Sequence, residues 1–154
     1  MPTGNQREIS ARKSLSVAER EEQYYRAAKR EWDNAVLNDI LMEKDMVNCS
    51  EDERKTVMEE NYDRINTMAQ SVVGFKKQWR DSLIDRYLNK QVPDYYGYER
   101  REYYKNSYFN ENYDEIVDFI ETLENERWQT FEEKGVTQDL ADSLQEDLLK
   151  RVDT

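Results

Sequence analysis

Apolar side chains recur along most of this chain at steps of three and four, with charged residues between them. From Tyr25 through Ala28, Trp32, Val36 and Ile40 to Val47 they trace one stripe of a 3.6-residue period. Ser16 and Glu19 stand ahead of that stripe at capping-box spacing, where a hydroxyl and a carboxylate satisfy amides that a helix start leaves unbonded. The pattern predicts a first helix from 16 to 47. Asn48-Cys49-Ser50 interrupts it, and Ser50 with Glu53 repeats the cap, with acids in the first turn where the helix dipole favours them. Beyond this corner Met58, Tyr62, Ile65, Ala69, Val72, Lys76, Trp79 and Leu83 alternate steps of four and three, a heptad-like seam broken by Lys76. A second helix is expected to run from there to Asn89. Two long helices joined by a tight corner predict an antiparallel hairpin with coiled-coil character over 16–92.

Gln91-Val92-Pro93-Asp94 closes the second helix, because a residue before proline is pushed out of the helical region. The segment 93–112 then loses any clean period. Tyr95, Tyr96, Tyr98, Tyr103, Tyr104, Tyr108 and Phe109 crowd it beside Gly97, Arg100, Arg101 and Lys105, and it reads as a loop-like connector with one short helix near Glu99–Tyr104. Asn112 and Glu115 form another cap pair, after which Tyr113, Ile116, Val117, Ile120, Leu123, Trp128 and Phe131 predict a third helix over 113–134, stopped by Gly135. Thr137 caps a fourth, with Leu140, Leu144, Leu148 and Val152 at four-residue steps. The expected fold is all-α. A basic N-terminal arm (1–15) precedes the hairpin (16–92), the Tyr/Arg-rich connector (93–112) and acidic C-terminal helices (113–154), in a single domain.

Composition sharpens this picture by what it lacks. The 154 residues include four glycines, two prolines, one cysteine and no histidine. Few breakers favour long helices. Without imidazole the chain has no usual general base, and cannot build the common nucleophilic triads, a histidine zinc site or a Glu-x-x-His di-iron bundle. The isolated glycines make no phosphate loop. An enzyme is not expected, nor a cofactor, metal or small-molecule substrate. Asn110, Asn112, Asp114, Asp118 and Glu121 do match the ligand spacing of a calcium loop, but Glu115 occupies the position that needs glycine, and the same residues serve as a helix cap with an acidic face. Cys49 sits in an anionic setting that disfavours a thiolate. The opening residues carry no signal-like apolar run, no window is long enough to span a membrane, and a lone cysteine suits a reducing compartment, so a cytoplasmic location is expected.

Charge distribution says more than the formal total of −11. Residues 113–154 hold four basic and thirteen acidic side chains, whereas the connector holds three basic and four acidic ones. A basic stripe of Lys76, Lys77, Arg80, Arg86 and Lys90 lies late in the second helix, yet the acidic whole repels phosphates, which disfavours direct nucleic-acid binding. Seven of the eleven tyrosines lie between 95 and 113, and tyrosine with arginine is the side-chain chemistry of protein interfaces. The expected role is therefore a non-enzymatic interaction or assembly subunit of a larger complex, with one or more protein partners, a second copy of itself being one candidate. The residues expected to touch that partner are Trp32, Trp79, Tyr95, Tyr96, Tyr98, Arg100, Arg101, Tyr103 and Tyr104. The alternative is an acidic imitation of nucleic acid that fills a basic cleft, for which Asp114, Asp118 and Glu121 would supply the carboxylates.

Overall fold

The computed structural model describes residues 16–154, so the basic arm expected over 1–15 lies outside the described residues. The described residues are all-helical and include no strand. In chain order the helices are α1 (Val17–Glu43), α2 (Glu51–Glu60), α3 (Tyr62–Gln91), α4 (Tyr98–Glu111), α5 (Tyr113–Lys134) and α6 (Gln138–Asp153), with a 3-10 turn at Asp94–Tyr96. None of them is long and apolar enough to cross a membrane.

The helix starts follow the sequence closely. The Ser16 hydroxyl accepts from the Glu19 amide at 3.1 Å, and at α2 both halves of the capping box between Ser50 and Glu53 form. Helix α1 stops at Glu43, short of the expected 47, because Asp45 adopts a left-handed φ of 59°. That turn lets the Met46 amide reach back to the Leu41 carbonyl and the Asp45 amide to Met42, which satisfies carbonyls at the helix end. The single long helix expected after the corner is interrupted at Asn61, whose side-chain amide donates to the Val57 carbonyl at 2.9 Å and competes with the backbone ladder. Asn112 does the same to the Tyr108 carbonyl at 3.0 Å. It makes no side-chain cap for α5, so the expected cap pair with Glu115 is corrected.

The chain divides into two compact units, one ending at Gly74 and the other spanning Phe75–Thr154, with the division falling inside α3. In the first unit Val36, Leu37, Ile40 and Leu41 of α1 pack with Val57 of α2 and Ile65 of α3, and Met46 and Cys49 close the corner. Arg54 donates to the Asn38 side chain at 2.9 Å, and Arg64 pairs with Glu43 at 3.3 Å.

In the second unit Phe75, Trp79, Leu83 and Leu88 of α3 meet Ile116, Ile120, Leu123 and Phe131 of α5 and Ala141, Leu144, Leu148 and Val152 of α6. The heptad-like seam therefore serves two environments. Met58 and Tyr62 at its start are exposed, while Trp79 and Leu83 are fully enclosed by α5 and α6. Gly135, with φ 107°, ends α5 in a conformation that L side chains rarely adopt. The Thr137 hydroxyl then caps α6 by accepting from the Leu140 amide at 3.3 Å.

Candidate functional site

The Tyr/Arg-rich segment is the part of the structure most unlike its expected form. It is a 3-10 turn followed by the fourteen-residue helix α4, not a loop with one short helix. Val92 is buried and anchors the end of α3, Pro93 ends the helical run, and Gly97 takes φ 81° so that α4 can start immediately afterwards. The cause of the missing periodicity is visible in the packing. The inner face of α4 is polar over its first turns, where Lys105 is buried and pairs with Asp85 at 2.7 Å and Glu102 at 3.3 Å and Arg101 donates to the Asn89 carbonyl at 3.1 Å, and only toward its end do Tyr108 and Phe109 pack against the core of the second unit. Tyr103 and Tyr104 are exposed on the opposite side of the helix.

Those rings form a connected series. Tyr95 and Tyr96 lie 4.5 Å apart between centroids, Tyr96 and Tyr104 4.8 Å, and Tyr103 and Tyr104 5.6 Å, all inclined to one another as ring quadrupoles favour. The Arg100 guanidinium stands 6.0 Å from the Tyr96 ring centre. Tyr98 joins the series across a shallow depression that it lines with Tyr96, Gly97, Glu99 and Arg100. Exposure reaches 81% at Tyr98, 75% at Tyr95, 68% at Tyr103 and 38% at Tyr104. The Tyr96 hydroxyl is held above its ordinary pKa, first by its hydrogen bond with Tyr95. Such an arrangement offers flat apolar area, hydroxyls at its edge and one cation.

The remaining residues expected at a partner surface divide sharply. Trp79 is removed from the set: it is 0% exposed, its indole N–H donates to the Ala141 carbonyl at 2.9 Å, and Trp128 and Phe131 pack against it. Trp32 is half-buried on α1 in the first unit and does not belong to the tyrosine series. Arg101 is turned to structural use by its bond to Asn89. On α5, Asp114 and Asp118 are exposed, whereas Glu121 forms an ion pair at 3.1 Å with Arg80, which is 1% exposed. That pairing engages one of the three carboxylates of the acidic alternative.

Four of the five residues of the basic stripe of α3 are engaged inside the second unit, Arg80 by Glu121 among them, while Lys77 is exposed. Lys76 sits 4.2 Å over the Trp128 ring, Arg86 pairs with Asp153 at 2.8 Å, and the Lys90 ammonium donates to the Val152 carbonyl at 2.6 Å. The calcium-loop spacing over 110–121 falls on the end of α4, Asn112 and the first turns of α5, so no loop forms there. Among the described residues no group of three acidic or cysteine side chains converges as ion ligands do.

Two residues outside the set expected to touch a partner prove important to this surface. Lys105 pins α4 from beneath, and Glu99 lines the tyrosine depression beside Arg100. The signal for Lys105 was its four-residue spacing from Arg101, which places both on one face of a helix. No protein-family model, curated protein or solved structure matches this chain.

Proposed function

We propose that this protein is a non-enzymatic α-helical interaction or assembly subunit, and that the outer face of α4 is where it docks another protein. The observation that carries the reading is the exposure of Tyr95, Tyr103 and Tyr104, linked through Tyr96 into one aromatic series with Arg100 beside it. Scattered exposed apolar residues are ordinary, but a connected patch of several hundred Å² marks an interaction site. Tyrosine and arginine give such a site large contact area at small rotamer cost. Within this reading the first unit is a helical hairpin of coiled-coil character that serves as a rigid strut. The cross-links from Arg54 to Asn38 and from Arg64 to Glu43 support that part.

The test places a photoreactive phenylalanine analogue at Tyr98, at Tyr103 and, as a control, at Glu146 on the exposed side of α6. Irradiation in the cells that make the protein is expected to give discrete protein adducts from the two tyrosine positions and none from the control. Absence of any protein adduct at both tyrosine positions would refute the docking surface.

A further inference from the structure

We infer that residues 94–107, the 3-10 turn and the first turns of α4, form a strap that unwinds locally while the rest of the second unit stays folded, and that the ion pair of Lys105 with Asp85 is its latch. This goes beyond the docking role proposed above and does not depend on it.

Burial is the first argument. Between Val92 and Tyr108 the only buried residue among those described is Lys105, whereas α5 sinks Ile116, Ile120, Leu123 and Phe131 into the core. A segment with so little buried apolar area belongs to the part of a fold that opens most easily. The second argument is how the segment is held to α3. Among the described residues two polar links do this, Lys105 to Asp85 at 2.7 Å and Arg101 to the Asn89 carbonyl at 3.1 Å. Around them the facing surfaces are polar and enclose a cleft of about 570 Å³, lined by Asp85 and Asn89 of α3 and by Asp94, Arg101, Glu102 and Lys105 of the strap. The Asp85 side chain is 61% exposed, so dissolved ions reach the latch. The third argument is the helix start. Side chains of Ser16, Ser50 and Thr137 cap α1, α2 and α6, but α4 begins at Gly97, with φ 81°, and has no side-chain cap. Amides left to water at that end favour fraying from it.

Once the latch parts, the contacts that persist are internal to the strap: Lys105 with Glu102, and the Tyr96 ring with Tyr104. A helix shorter than about 12 residues is marginal in water by itself, so the released segment unwinds as far as Tyr108 and Phe109, which pack on the core. The aromatic series requires Tyr96 of the 3-10 turn and Tyr104 of α4 to lie 4.8 Å apart, and is therefore assembled only while the strap is seated. An exposed latch makes that assembly dependent on ionic strength.

Hydrogen exchange on the purified full chain, read by mass spectrometry of peptic fragments, tests this. Fragments within 98–107 are expected to exchange about a hundredfold faster than those of the buried stretches of α5 and α6. Asp85→Asn removes the charge that holds Lys105 and should speed exchange in the strap about fivefold further, with α5 and α6 unchanged. Raising sodium chloride to about 0.5 M should speed the wild-type strap in the same direction and have little further effect on Asp85→Asn. The protection of α5 and α6 within each sample shows that the variant is folded. Strap amides as slow as those of α5 and α6 would overturn the inference, because the segment would then open only with the whole unit. So would an Asp85→Asn protein whose strap exchanges as in wild type, or one in which α5 and α6 speed up by the same factor as the strap.

Discussion

Replacing Trp79 with alanine tests the packing that sets this structure apart from a simple amphipathic rod. The side chain is enclosed by Trp128 and Phe131 of α5, with ring centroids 5.6 and 5.2 Å away, and its indole N–H donates to the Ala141 carbonyl of α6 at 2.9 Å. Truncating a buried aromatic to alanine costs about 3–5 kcal/mol in lost transfer energy and unfilled cavity. The indole hydrogen bond adds about 1 kcal/mol. Within a unit spanning Phe75–Thr154 a loss near 4 kcal/mol lowers the melting temperature by roughly 15–30 °C. Trp79→Phe keeps most of the ring volume and loses the donor, so its cost should be about 1–2 kcal/mol. Thermal denaturation followed by far-UV circular dichroism, repeated with the fluorescence of the remaining tryptophans, reads both variants. A Trp79→Ala protein that melts within about 3 °C of wild type would show that α3, α5 and α6 do not enclose this residue, and the second unit would have to be rebuilt.

Two further perturbations address the charges and the tyrosines. Glu121→Gln removes the carboxylate facing buried Arg80; because Glu121 is itself about a third exposed, the expected loss is about 1–2 kcal/mol, and a double-mutant cycle with Arg80→Met in urea should show coupling of similar size. A cycle with no coupling would return Glu121 to the solvent-facing acids. Tyr87 is raised above 10.0 by its own burial first and then by Tyr108 and Glu115, and Tyr96 by its bond with Tyr95. The native state therefore keeps protons that the unfolded chain releases, so this contribution to stability is complete below pH 10 and declines as pH rises through the native pKa values. Ultraviolet titration of the phenols should show a late-ionising fraction, absent from the Tyr87→Phe, Tyr96→Phe double variant; a single uniform transition in wild type would contradict both environments.

Much of the architecture was readable from residues alone because it depends on short-range chemistry. The caps at Ser16, Ser50 and Thr137, the stop at Gly135 and the bounds of α5 are decided by backbone groups within one turn of the residues that satisfy them. The apolar stripes of α5 and α6 named their buried residues for the same reason: a 3.6-residue period is a property of the chain, whatever it packs against. The interruptions at Asn61 and Asn112 were missed, because an asparagine at a helix position signals nothing until its side chain takes a carbonyl from the preceding turn.

What only the tertiary structure decided is which of two chemically similar residues is core and which is surface. Trp79 and the tyrosines of α4 were equal candidates for contact with a partner, and α5 and α6 closed over the first while leaving the others exposed. Glu121 and Asp118 belong to one acidic face, yet only Glu121 lies within reach of Arg80. Helix α4 itself escaped the period rule because the start of its inner face is filled by Arg101 and Lys105, whose partners Asn89 and Asp85 lie on α3, and apolar packing by Tyr108 and Phe109 begins only near its end. A buried cation is acceptable only where its counter-charge arrives from elsewhere in the chain, and a pattern along one helix carries no record of that arrival.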